Sequence, residues 1–416
     1  MPQPAPITRA SLAEQDRTDP LAGMRALFTL PHGVIYLDGN SLGALPRATP
    51  GRIAAVVDQE WGAGLIRSWN DAGWMDLPGR VADKIATLVG AAPRSVVVAD
   101  STSVNLFKLL AAALALRPDR RVILSERGNF PTDLYVAQGL ASLLDRGHAL
   151  RLVEPPEIAG ALDDQVAVLM LTHVNYHSGA MHDMQALTRA AHAQGAVVLW
   201  DLAHSAGAVP VDLGACDADL AVGCGYKFLN GGPGAPAFLY VAPRLHDAVR
   251  FPIAGWLGHA VPFAFETGYR PAAGIGSAVV GTPPVLSLAA LEVGVDIACS
   301  APIDAIRAKS LRQSAVFADL ILQECDGFGF TITSPAEPAH RGSQVCLAHP
   351  HAYPIMQALI ARGVIGDFRA PDILRFGITP LYLSYAELWD AVQVLREVMA
   401  ADAWQAPEFS VRGKVT

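Results

Sequence analysis

The chain has 416 residues, 51% of them hydrophobic and 17% charged, with a formal net charge of −8 and a pI near 5.8. This composition excludes a disordered chain, and the lack of any Lys or Arg run argues against a nucleic-acid or anionic-membrane partner. Five cysteines without CxxC spacing exclude a zinc or disulfide framework and fit a reducing, cytoplasmic setting.

The opening residues, Met-Pro-Gln-Pro-Ala-Pro, lack the basic-then-apolar layout of a signal peptide. No window reaches the roughly 18 uninterrupted apolar residues of a membrane span. Residues 1–18 read as a loosely held arm, and Asp19-Pro20 as a helix start with Pro at the first helical position. A short strand over 34–38 runs into the turn Gly39-Asn40-Ser41-Leu42-Gly43. A helix over 47–61 is expected to bury Ile53, Val56, Val57 and Trp61 on one face.

From residue 80 to 240 helical and strand patterns alternate. Strands are expected at 95–99, 122–125, 150–153, 166–171, 196–200, 219–222 and 237–241, with helices over 79–89, 103–116, 132–145 and 183–194 between them. Continuous apolar strands such as Val-Ala-Val-Leu-Met-Leu suit a sheet covered on both faces, hence mostly parallel. Residues 251–285 read as a long irregular connection rich in Gly and Pro. A long helix over 302–324 follows. Beyond it come strands at 329–333, 343–348 and 373–378 and helices over 353–362 and 384–400. The fold class is therefore α/β: a large domain over 46–300 on a mostly parallel seven-stranded sheet covered by helices, plus a small α+β C-terminal domain over 301–416. Residues 1–45, an N-terminal arm and first strand, go with the small-domain region.

The chemistry concentrates at strand ends, where ligands of such sheets gather. Lys227 lies between Gly-Cys-Gly-Tyr226 and the glycine-rich Phe-Leu-Asn-Gly-Gly-Pro-Gly234. A lysine in a partly desolvated turn loses its proton readily and suits a Schiff base with pyridoxal 5′-phosphate (PLP). Read alone, it is better explained as a surface lysine lying over apolar residues, and the rest of the constellation reverses that. Asp201 ends an apolar strand, where a carboxylate can keep a cofactor ring nitrogen protonated; a turn or helix cap is the plainer alternative. His204, three residues on, either orients Asp201, touches the ring, or is a satisfied core histidine. Thr102 and Ser103 open a helix after a strand and fit an anion such as a phosphate, as well as an ordinary cap. In Asn129-Phe130-Pro131-Thr132-Asp133, Phe130 suits stacking on a planar ring and Asp133 a polar edge contact. Thr172 ends another strand. The nearby His173 and His177 lack a carboxylate or cysteine at ligand spacing, so no metal is expected. Arg375 interrupts an apolar strand and needs an anionic partner: a substrate carboxylate or a buried acidic side chain.

Taken in order, these residues resemble the kynureninase family of fold-type I PLP enzymes, in the aspartate aminotransferase superfamily. The likeness runs from Tyr36-Leu-Asp-Gly-Asn-Ser-Leu-Gly43 through Trp200-Asp-Leu-Ala-His-Ser-Ala-Gly207 to Arg375-Phe-Gly-Ile-Thr-Pro-Leu-Tyr382. It implies that the large domain binds PLP and that Lys227, Tyr226 and Asp201 are catalytic. Thr102, Ser103, Phe130, Pro131, Thr132, Asp133, Thr172, Asp201, His204, Tyr226, Lys227, Trp256 and Thr282 would surround the cofactor. Trp256 and Thr282 would come from the second subunit of a homodimer with a shared active site. Arg375 and Asn40 would bind the substrate. The implied reaction is hydrolysis of kynurenine or 3-hydroxykynurenine to anthranilate or 3-hydroxyanthranilate and L-alanine, in tryptophan catabolism. Two other readings stand beside it: another PLP lyase, such as a cysteine desulfurase, which needs a reactive thiol, or a non-catalytic protein that keeps the fold.

Overall fold

The computed structural model describes residues 6–413 and divides into two compact units. One holds Ala48–Tyr176 and His182–Cys299. The described residues of the other lie within Met1–Arg47, His177–Met181 and Ser300–Thr416.

The larger unit is built on seven strands: β1 (Val96–Val98), β2 (Val122–Glu126), β3 (Ala149–Val153), β4 (Val166–Thr172), β5 (Val197–Asp201), β6 (Leu220–Gly223) and β7 (Phe238–Val241). Their order is β1-β7-β6-β5-β4-β2-β3. The pairs from β6 through β3 are parallel, and β7 runs antiparallel to both β6 and β1. So six strands point one way, and β7 alone is reversed. The interior strand β4 is buried along its whole length, which explains its unbroken apolar run. Helix Leu77–Leu88 leads into β1, and α1 (Thr102–Leu116), α2 (Pro131–Leu144) and Met184–Ala193 lie in the crossovers. Leu106, Leu109, Leu110 and Ala113 of α1 pack in one core with Val168, Leu199, Val222 and Leu239 of the sheet.

All seven strands stand within a residue or two of their expected positions. Three expectations fail. The helix expected over 47–61 is a short α-helix, Thr49–Ala55, continued as a π-helix, Val56–Gly64. Of its supposed buried face only Val56 is buried, while Val57 and Trp61 are exposed. The helix Val285–Ser300 follows the 251–285 connection unannounced. Its continuous apolar composition has little amphipathic pattern to read. The connection itself carries only short 3₁₀ turns.

The smaller unit holds a four-stranded antiparallel sheet in the order β8-β9-β11-β10, where β8 is Thr331–Ile332, β9 Gln344–Ala348, β10 Asp367–Arg369 and β11 Ile373–Gly377. Helices Ile303–Glu324, Ala352–Ile360 and α3 (Tyr385–Ala400) belong to it. The expected loose arm is in fact ordered from residue 9: Arg9–Arg17 is a helix capped by Thr8, with Leu12 fully buried, while residues 1–5 lie outside the described residues. Asp19 does not start an α-helix. Its carboxylate pairs with buried Lys309 at 2.6 Å, and a 3₁₀ turn over Ala22–Leu27 follows.

Candidate active site

Because β2, β4, β5 and β6 are parallel, their carboxyl ends share one edge of the sheet. The residues that follow them there are Asn129–Asp133, Thr172, Asp201 and Lys227. Lys227 is buried, and its Nζ stands 3.2 Å from His204 Nε2 and 5.8 Å from the ring centres of both Phe130 and Tyr226. Asp201 is buried and accepts a hydrogen bond from Ala203 N at 2.7 Å.

A second polar chain runs beside it. Thr172 Oγ1 bonds Asn129 Oδ1 and lies 3.4 Å from Asp133 Oδ2. Asn129 Oδ1 also accepts from Phe130 N at 2.7 Å, while its Nδ2 donates to Ser125 Oγ at 2.9 Å. These bonds fix Phe130 at the start of α2 and turn Asp133 inward. Burial raises the Asp133 carboxyl well above the usual range, and the Asp201 charge adds to that rise. Burial also raises Asp201, but the Lys227 charge counteracts it there. The pair therefore divides its labour: Asp133 holds a proton more readily than Asp201. The Tyr226 phenol is raised above its ordinary value by burial and then by Cys224, so it keeps its proton at neutral pH.

At the end of β1 the chain turns through Asp100, whose φ of +52° is left-handed, a region that Asp tolerates better than most residues. Its carbonyl accepts from Ala237 N at 2.9 Å. Its carboxylate pairs with Lys108, a fully buried lysine of α1 that also donates to Ala278 O at 2.7 Å. Ser101 caps α1, which leaves the N-terminal amides at half-exposed Thr102 and exposed Ser103 facing outward. Lys108 was missed by sequence reasoning, although a lysine among Leu106, Leu109 and Leu110 was its signal.

Trp256 and Thr282 are not gathered with Lys227. They line a separate cleft of about 410 Å³ with Ile66, Trp69 and Phe263.

In the smaller unit Arg375 sits in the middle of β11, opposite Asp367 of β10 and Cys346 of β9. Its Nη2 bonds Asp367 Oδ2 and, at 2.6 Å, Ser41 Oγ; Asp38 Oδ1 lies 4.0 Å away. The buried Asn40 amide, oriented by its hydrogen bonds, offers its oxygen to Arg375 Nε at 3.2 Å and its nitrogen to Asp38 Oδ1 at 3.3 Å. A side chain on Gly377 would meet the Asn40 side-chain amide at 2.2 Å, so glycine is what lets Asn40 seat against the strand. Arg375 thus has the buried acidic partner that its apolar strand demanded.

The groups around Lys227 fit PLP: an amine, a buried carboxylate at the next strand end and an aromatic face.

Known proteins point the same way. The family model described as the kynureninase C-terminal domain matches residues 306–395, and that of the DegT/DnrJ/EryC1/StrS aminotransferase family matches residues 65–220. Curated kynureninases from Burkholderia mallei, Burkholderia pseudomallei and Pseudomonas fluorescens are each 53% identical over 414 residues, 98% of this chain and 100% of the relative. Among solved structures, cysteine desulfurases from Thermococcus onnurineus and Escherichia coli superpose with TM-scores of 0.77 and 0.75 at 18% identity. They cover 91% and 92% of this chain and 98% of theirs, a likeness of fold alone. By the full-length identity the chain belongs to the kynureninase family of PLP-dependent enzymes.

Proposed function

We propose that the chain hydrolyses the Cβ–Cγ bond of L-kynurenine, giving anthranilate and L-alanine. The observation that carries this reading is the buried Lys227 amine beside His204 and within the field of Asp201, in a chain 53% identical to curated kynureninases. PLP, when bound, supplies the electron sink for the pair released at the substrate carbon.

Lys227 would hold the cofactor and move a proton at the substrate Cα. Asp201 opposes the ring nitrogen, where its negative charge favours the cation. Phe130 would stack on the ring, with Pro131 and Thr132 setting its turn, and His204 and Thr172 would border it. Asp133, its carboxyl raised by burial and by the Asp201 charge, would meet the polar edge of the ring. The amides and hydroxyls of Thr102 and Ser103 receive the phosphate. The Tyr226 phenol, protonated at neutral pH, is the proton source for the alanine carbon. Arg375, with Asn40 against it, receives the substrate α-carboxylate.

Trp256 and Thr282 would serve a second copy's site in a homodimer. The exposed Trp61, Ile66, Phe263 and Phe265 of the larger unit support such a partner surface. No single helix among the described residues is long and apolar enough to cross a membrane, in keeping with a cytoplasmic enzyme.

A cysteine desulfurase needs a thiolate, and burial raises all five thiols, Cys346 to about 11 and Cys325 to about 12. The deciding experiment incubates the holoenzyme with kynurenine and follows anthranilate fluorescence, with cysteine and sulfide release as the control. Lys227→Ala is expected to abolish both the borohydride-reducible chromophore and turnover. An active, coloured Lys227→Ala enzyme, or sulfide without anthranilate, would overturn the assignment.

A further inference from the structure

The Arg375 cluster holds more acid than a lone guanidinium needs. Asp367 Oδ2 contacts Arg375 directly and also Arg369 Nη2 at 2.6 Å, so it is tied to two cations. Asp38 reaches Arg375 only at 4.0 Å, with the Asn40 amide between them. In the ion pairs among the described residues two guanidiniums therefore face two carboxylates, so these pairs balance before any substrate arrives. A substrate carboxylate would be a third anion in a largely buried site, where an uncompensated charge is costly. The carboxylate with the weakest ion pair is the one that can give up its charge. Asp38 is also the more accessible of the two, with 17% of its side chain exposed against 4% for Asp367.

We propose that Asp38 is a positioning residue of the substrate site: it takes a proton from solvent when Arg375 receives a carboxylate and returns it when that carboxylate leaves. This rests on the reading of Arg375 given above. The other groups facing Asp38 are compatible. Burial, then the Asp367 charge, push its carboxyl up to about 7, outweighing Ser41, Arg375 and Arg369, which draw it down. The phenols of Tyr36 and Tyr382 are raised by burial, with the Asp38 charge adding to the rise, so both stay protonated. Asp38 is thus poised to change charge across the neutral range without a second group following it.

Uptake of a proton on binding makes affinity fall as pH rises past the point where free Asp38 ionises, by about tenfold per pH unit. The test measures KM for kynurenine with holoenzyme from about pH 6 to about pH 9 in the parent, Asp38→Asn, Asp38→Glu and Arg375→Lys. The parent KM is expected to climb about tenfold per unit above neutrality, and that of Asp38→Asn less than about threefold over the same range, with the pH profile of kcat moved little. Asp38→Glu should keep the climb with its inflection displaced. An undiminished climb in Asp38→Asn, or an unmoved inflection in Asp38→Glu, would overturn the proposal. An unchanged KM in Arg375→Lys would instead overturn the reading of Arg375, whatever the Asp38 variants do.

Discussion

Arg375 carries two loads at once, and they can be separated. Removing it alone takes one of two cations from the buried Asp367 and leaves Arg369 on the same oxygen, which should cost about 1–3 kcal/mol of stability. The double change Arg375→Met with Asp367→Leu should restore most of that stability, read by urea denaturation, yet leave KM raised by about 10-fold or more, the worth of a charge-assisted pair. A recovered KM would mark the arginine as purely structural. Asp201→Asn keeps the shape of its site but not the charge; it should retain PLP and lose most turnover, and full activity would remove the electrostatic role. Lys227, Asp201 and Arg375 were legible because each breaks its surroundings: a cation or carboxylate at the end or in the middle of an apolar strand. Asp367 and Asp38 were not. Their importance comes from strand register and from a turn packed on a distant strand, neither of which leaves a local mark.

Among the elements, α3 shows the same division. Its start was readable from Ser384 and Glu387, which form a capping box. What the pattern conceals is Asp16, whose carboxylate accepts from Tyr385 N at 2.7 Å and Ala386 N at 3.0 Å, 369 and 370 residues along the chain. That carboxylate sits at the positive end of the helix and satisfies two orphan amides. Asp16→Ala is expected to cost about 1–2 kcal/mol in chemical denaturation, and a loss below a few tenths would show that solvent serves as well. The residue 1–18 arm was misjudged because its helix is polar and short. Its stability comes from Leu12 and from α3 rather than from its own composition.

At the scale of the molecule, the parallel order was recoverable because helix and strand patterns alternate and the strands are unbroken apolar runs. The reversal of β7 was not, since antiparallel and parallel neighbours bury the same residues. The exposed aromatic surface around Trp61 and Phe263 also escaped periodicity, because the residues look like core. If it joins two copies, Ile66→Asp combined with Phe265→Asp should yield monomers by light scattering, and a persistent dimer would place the interface elsewhere. The division of the chain has a further consequence, for synthesis. The larger unit is complete in sequence by Cys299, but the smaller one draws on both ends of the chain. The helix Arg9–Arg17 is made long before α3, on which it packs. Nascent chains stalled after residue 300 should already protect the β1–β7 sheet from protease while residues 9–17 remain cleavable, and synthesis of α3 should close that window.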